Sequence, residues 1–348
     1  MRKFGGVMLQ ELESLPEGLL ALDAQELAAA LRAPTLIHLQ GRQSPALFVS
    51  VLMHGNETTG WEAIRQLLSD YRVGGGSREL PRSLTLFIGN VTAAAEGVRR
   101  LDGQPDYNRV WPGGDDRESP EAQMMCQVVE RMQSRGLFAS VDVHNNTGIN
   151  PHYACINRLD HPFLHLAALF SRTVVYFTRP TGVQSLAMSR LCPAVTLECG
   201  KPDQARGVTH VREYLDACLH LSAHPDHPVA AQDLDLFHTV ATVKVPESIS
   251  FGFADADVDI SLAPDLELLN FRELPRGTAL GRVAEGLGTG LTVLDEQGAE
   301  VSDRYLEVSD GELRLRLPVM PSMITRDSRV IRQDCFCYLM ERYNDHLL

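Results

Sequence analysis

The chain lacks any long Lys/Arg run, and its formal net charge is −13. That balance excludes a phosphate backbone and an anionic bilayer as expected partners, leaving a small molecule as the default. A Cys-x-x-Cys pair is also missing. The seven cysteines (Cys126, Cys155, Cys192, Cys199, Cys218, Cys335, Cys337) are an odd number without framework spacing, and they read as reduced thiols in a reducing compartment. No apolar stretch reaches transmembrane length. The opening Met1-Arg-Lys-Phe-Gly-Gly, followed by the acidic Glu11-Leu-Glu-Ser, has no continuous apolar core of a signal peptide. The expected location is therefore the cytoplasm. The triple glycine after Val73 is not followed by Gly-Lys-Ser/Thr, which excludes a phosphate cradle there. Internal repeats and low-complexity tracts are absent.

What is present is a core. Across 348 residues, 44% are hydrophobic and 22% charged, which suits two domains or one large domain with an appendage. Apolar runs alternate with helical periodicity through residue 235. A helix is expected over 23–31, a strand over 35–39, and a strand over 46–52 followed by a helix over 58–71. Further strands are expected at 84–88, 137–144, 174–177 and 194–197, with helices at 119–136, 161–171 and 208–221. Ser119 and Pro120 are the N-cap and first residue of the 119–136 helix. From about residue 236, period-2 segments broken by Pro, Gly and Asp dominate, including 239–245, 312–317 and 329–338. The expected fold is α/β: a mixed, mostly parallel central sheet with helices on both faces over 1–235, and a smaller C-terminal β domain over 236–348.

In such sheets a ligand lies outside the carboxyl ends of the strands. Four apolar runs end there in reactive residues: 46–52 at His54 and Glu57, 84–88 at Asn90, 137–143 at His144, and 194–197 at Glu198. A hydrolytic zinc site takes three ligands from His and Asp/Glu and keeps a position for water. His54, Glu57 and His144 supply that set. Asp142, two residues before His144 on the same strand face, is placed to orient an imidazole. Glu198 is the spare carboxylate for moving protons. Arg99, Arg100, Asn108 and Arg109 suit a substrate carboxylate or a developing oxyanion. Other histidines carry less: His38 reads as a partly buried strand residue, His161 and His165 as surface residues, and His224 and His227 as exposed in a linker. Cys199 reads as packing.

These motifs resemble the succinylglutamate desuccinylase/aspartoacylase family, related in fold to the zinc carboxypeptidases. The carrying residues are His54-Gly-Asn-Glu57, Gly89-Asn90 with Arg99-Arg-Leu-Asp102, Asp106-Tyr-Asn108-Arg109, Asp142-Val-His144-Asn-Asn-Thr147 and Leu197-Glu198-Cys-Gly200. The resemblance implies one zinc ion per chain, held by His54, Glu57 and His144, with Glu198 as general base and acid. It implies that Arg99 polarises the scissile carbonyl, with Arg100 competing for that role, and that Asn108 and Arg109 hold a substrate carboxylate. It further implies an N-acyl amino acid as substrate and a β domain partly covering the site. A zinc carboxypeptidase or peptide amidase on the same fold is the alternative, and a catalytically idle ligand-binding protein is a third reading.

Overall fold

The structure is a computed structural model that describes residues 9–254 and 257–343. The opening Met1–Gly6 lies outside the described residues. Two compact units emerge: the chain up to Asn145 together with His152–Asp235, and Asn146–Pro151 together with the chain from Leu236 on.

The first unit is built on strands β1 (Gln10–Leu12), β2 (Thr35–Leu39), β3 (Gln43–Val51), β4 (Arg82–Ile88), β5 (Leu137–His144), β6 (Tyr153–Ile156), β7 (Thr173–Tyr176) and β8 (Ala194–Glu198), in the order β1-β2-β4-β3-β5-β8-β6-β7. Strands β4, β3, β5 and β8 run parallel. Strand β2 is antiparallel to β4, and β6 antiparallel to β8. The sheet is thus mixed and mostly parallel. Its central strands are buried on both faces, as their near-continuous apolar runs require.

Helices α1 (Leu27–Ala30), α2 (Thr59–Ser69), α3 (Val91–Ala95), α4 (Pro120–Arg135), α5 (His161–Ala168), α6 (Gln184–Met188) and α7 (Ala205–His220) connect these strands. Helix α2 buries Trp61, Ile64, Leu67 and Leu68. Its Gly60 permits close approach, since a Cβ there would meet Val51 Cγ1 at 2.9 Å and Val143 Cβ at 3.0 Å. Helix α6 covers the other face. Its Gln184 Nε2 donates to Ser140 Oγ at 2.8 Å, and Ser140 alternates with the valines that face α2. Helix α4 begins as its sequence dictates: Ser119 Oγ accepts from the Ala122 N–H at 3.1 Å and Pro120 occupies the first turn. The stretch 23–31 is less helical than expected. It forms a 3₁₀ turn at Ala24–Glu26 and the single turn α1.

The second unit contains β9 (Asp235–Lys244), β10 (Phe251–Phe253), β11 (Ile260–Leu262), β12 (Ala279–Val283), β13 (Thr292–Asp295), helix α8 (Ser302–Tyr305), β14 (Leu306–Ser309), β15 (Glu312–Leu315), β16 (Met320–Ser322), helix α9 (Ser328–Gln333) and β17 (Cys337–Arg342). One sheet has the order β10-β11-β12-β15-β14. Strand β9 pairs with β13 and β17, and β17 with β16, all antiparallel. Val243, Ile260, Leu262, Val293, Leu313 and Phe336 lie in its core. The segment Asn146–Pro151 is tied into this unit by Asn270 Nδ2, which donates to Ile149 O at 3.0 Å and Ile324 O at 2.9 Å.

One expected strand is corrected here. Residues 329–333 are helical, because the Asp327 carboxylate accepts from the N–H groups of Arg329 and Val330 and caps α9. A local cap outweighs alternation over so few residues. Only from Cys337 is the chain a strand. Among the described residues, no helix is long and apolar enough to cross a membrane.

Candidate active site

The four parallel strands β4, β3, β5 and β8 present their carboxyl ends on one edge, so Asn90, His54, His144 and Glu198 are delivered to the same side of the sheet. His144 and Glu198 are direct register partners and share a face with Asp142, the α6 side. The chain leaves β3 sharply. Leu52 has φ 57, a conformation that costs a non-glycine residue about 1–2 kcal/mol. Gly55 then passes so close to α3 that a Cβ would lie 2.2 Å from the backbone of Ala93 and Ala94. Its N–H donates to Arg99 O at 3.0 Å, so the loop carrying Arg99 is sewn to the turn carrying His54 and Glu57.

Glu57 is the centre of the cluster. Its Oε1 lies 2.8 Å from His54 Nδ1 and its Oε2 2.7 Å from His144 Nδ1. The Asn145 N–H donates to Oε2 at 3.2 Å. The outer ring nitrogens are engaged too: His54 Nε2 lies 2.9 Å from Asp106 Oδ1, and His144 Nε2 lies 2.7 Å from Asp142 Oδ2. Ser50 Oγ donates to the other Asp142 oxygen at 2.6 Å. Carboxylates on both Nε2 atoms fix the ring orientations, so that the Nδ1 atoms facing Glu57 would become ligand lone pairs once a cation replaces their protons. Ligand atoms of His54, Glu57 and His144 all lie within 4.8 Å of one another, and all three residues are buried.

Charge follows from this packing. Burial opposes ionisation of Glu57, but His54 and His144 outweigh it and hold its carboxyl well below the usual range. Burial likewise opposes the charge on Asp106, where His54 and then Arg99 prevail and hold it low. For His144 the carboxylates of Asp142 and Glu57 overcome burial and raise the imidazole well above its ordinary value. Glu198 behaves oppositely. Burial pushes its carboxyl up to about 8, with Glu57 and Asp142 adding to the rise against His144 and Arg99.

This donor set fits a divalent cation. Glu57 and Asp106 are held ionised beside buried imidazoles, which places negative charge where a cation would sit. Two imidazoles and one carboxylate, each with a supporting hydrogen bond, are the ligand types that zinc takes.

The remaining candidates separate. Arg99 belongs to the cluster, with Nη2 2.9 Å from Asp106 Oδ2 and Nη1 3.7 Å from Glu57 Oε1. Arg100 is engaged elsewhere, donating from Nη1 to Gln104 O at 2.6 Å. Asn108 lies at the cluster: its Oδ1 accepts from the Gln184 N–H at 2.9 Å and its Nδ2 lies 3.1 Å from His144 Nε2. That nitrogen has one proton, which the charged Asp142 takes, so the Asn108 approach is a contact rather than a second full hydrogen bond. Arg109 is half-buried and donates to Asn108 O at 2.8 Å.

Two residues exceed what the sequence reading assigned. Asp106 does more than its place in the motif indicates: it joins His54 to Arg99 and also accepts from the Asn108 N–H at 2.8 Å. Asn145 links the end of β5 to the start of α2 and to the turn after β8, accepting from the Thr59 N–H and donating from Nδ2 to Thr59 Oγ1 and Gly200 O. A buried Asn directly after a ligand His at a strand end is the signal that could have found it. Outside the site, His38 is buried between Thr85 and Glu11, and Cys199 is fully buried with its thiol raised by burial. His224 is half-buried rather than exposed, stacked on Phe138 at 4.1 Å.

Residues 43–217 match the family model for the succinylglutamate desuccinylase/aspartoacylase catalytic domain. A succinylglutamate desuccinylase of Chromobacterium violaceum is 26% identical over 270 residues, covering 69% of this chain and 78% of that protein. The crystal structure of the succinylglutamate desuccinylase from the same organism aligns over 90% of both chains, with TM-score 0.58 and 19% identity. The enzyme of that name from Vibrio parahaemolyticus aligns over 88% of this chain and 86% of its own, with TM-score 0.59 and 14% identity. Murine aminoacylase 3 aligns over 86% of this chain and 96% of its own, with TM-score 0.53 and 16% identity. At these identities the structures establish a shared fold.

Proposed function

The chain belongs to the succinylglutamate desuccinylase/aspartoacylase family, and on that premise we propose that it is a zinc-dependent hydrolase of the amide bond of an N-acyl amino acid. The observation that carries this reading is the arrangement around Glu57. Its two oxygens each meet an imidazole Nδ1, and both outer nitrogens are held by carboxylates. His54, Glu57 and His144 would hold the zinc ion, one per chain. Bound there, zinc would supply a Lewis acid that acidifies water and polarises a carbonyl.

The protein's own residues divide the remaining work. Glu198, buried at the end of β8 beside His144, would take a proton from the attacking water and return it to the leaving nitrogen. Arg99, anchored by Asp106, donates toward the carbonyl oxygen as negative charge develops on it. Asn108 and Arg109 bind the substrate carboxylate. Asp142 and Asp106 fix the two imidazoles, so that no reorientation is needed during turnover. The membrane and nucleic acids play no part in this reading, and the cytoplasm is its proposed location.

The test is amine release from a panel of N-acyl amino acids, run with and without a chelator. Hydrolysis of at least one member, abolished by chelation and restored by zinc, is the expected result. Chelator-insensitive hydrolysis would remove the metal from the proposal, and no hydrolysis of any member would remove the activity.

A further inference from the structure

The first unit contains a cavity of about 780 Å³, whose lining includes Arg32, Pro34, Val91, Thr92, Gln104 and Tyr107. That volume is within the range of small-molecule sites. Two of its polar groups face no protein partner among the described residues. The Arg32 guanidinium has no ion-pair or hydrogen-bond partner among the described residues. Tyr107 is 3% exposed, and its hydroxyl also has no hydrogen-bond partner among them. Burial, with Glu121 nearby, raises the Tyr107 phenol further above its ordinary value, so it remains a donor. A phenol hydroxyl and a fork of guanidinium donors, neither with a protein acceptor among the described residues, together match one planar anion. The rest of the wall is largely apolar, as Pro34 and Val91 illustrate.

We propose that this cavity is a second ligand site, for a small aliphatic carboxylate bound by Arg32 and Tyr107. A single guanidinium pairs bidentately with a carboxylate, whereas a phosphate dianion would call for more cations than this wall offers. The site also touches the loop that carries the catalytic candidates. Tyr107 lies between Asp106, which holds His54 and Arg99, and Asn108, which lies against His144. Gln104 accepts from Asn90 Nδ2 and the Leu101 N–H and donates to Thr92 Oγ1. An occupant therefore restrains residues 101–108 from outside the metal cluster. Binding at this site does not rest on the hydrolase reading. Only an effect on turnover would.

The probe is hexanoate, titrated calorimetrically into the full chain, with hexanamide as its uncharged match. Arg32→Gln and Arg109→Ala separate the two sites. Arg32 is exposed, so its replacement should leave the unfolding midpoint unchanged. The expected result is hexanoate binding that survives Arg109→Ala, weakens at least about tenfold in Arg32→Gln, and is weaker by a similar factor for hexanamide. Saturating hexanoate should also slow amide hydrogen exchange across residues 101–108 in wild type but not in Arg32→Gln. Wild-type affinity in Arg32→Gln overturns the proposal. So does loss of binding in Arg109→Ala alone, which would place the carboxylate at the catalytic candidates, or no binding to wild type.

Discussion

Asp106 Oδ1 lies 2.9 Å from His54 Nε2 while its other oxygen receives Arg99 Nη2 at 2.9 Å. One carboxylate therefore orients a candidate metal ligand and the candidate carbonyl-polarising arginine together. Arg99 Nη1 in turn lies 3.7 Å from Glu57. The metal ligands and the oxyanion donor form a single buried network, in which moving one member moves the others.

Replacing Asp106 with Asn keeps a hydrogen-bond acceptor for His54 but removes the charge. Outer-sphere changes of this kind cost about 10–100-fold in metal affinity. Asp106→Asn should weaken zinc binding by that order in a chelator-competition titration and also lower kcat, because Arg99 loses its anchor. Unchanged zinc affinity would show that Asp106 is not coupled to the ligand set.

Glu198→Gln tests the proton-transfer role. The expected outcome is a loss of turnover of about 10²-fold or more, with zinc content by atomic emission remaining at one equivalent. His144→Ala should do the reverse for metal, losing the bound equivalent. A Glu198→Gln enzyme with near-normal kcat, or a zinc-replete His144→Ala protein, would contradict the division of labour between these carboxylate and imidazole groups.

The buried carboxyl of Glu198 also predicts a pH dependence in metal-free protein. Its folded value is about 8, above the ordinary 4.5, so the folded state keeps a proton that the unfolded state releases. Stability then falls as pH rises from 4.5 through 8. The accumulated penalty is on the order of a few kcal/mol above pH 8. Urea midpoints of wild type and Glu198→Gln, both zinc-free, should diverge across that window, the variant becoming progressively the more stable. Parallel curves would mean that Glu198 titrates normally.

Gly55→Ala should be among the most damaging single-methyl additions in the chain. The new Cβ would lie 2.2 Å from the backbone of Ala93 and Ala94, which cannot swing aside as a side chain would. Overpacking of this type costs about 1–3 kcal/mol. It would also displace the His54–Glu57 turn from Arg99 O. Thermal unfolding and zinc affinity should both drop; if zinc affinity held while stability fell, the turn would be less rigidly coupled than its hydrogen bond indicates.

Much of the first unit could be read along the chain. Strand 35–39 and the capped helix after Ser119 appear where periodicity and capping place them, because those signals are local. The segment 329–333 went the other way, since Asp327 caps a helix that a period-2 pattern does not reveal. His224 is likewise less exposed than its place in a linker suggests, because its ring partner Phe138 is far away in sequence.

At the candidate site the residue types were legible: His54, Glu57, His144 and Glu198 each close an apolar run, and a motif order ties them to one family. What the sequence alone determined was which chemistry could be assembled, because strand ends and residue identities are properties of short segments. The tertiary structure decided who holds whom. Parallel pairing of β5 with β8 sets His144 beside Glu198, and closure of the loop after α3 brings Asp106 onto His54 and separates Arg99 from its neighbour Arg100. Adjacent residues on an irregular loop have no periodicity to distinguish them. Only the packing of that loop against the turn at Gly55 makes one arginine part of the cluster and leaves the other on a backbone carbonyl.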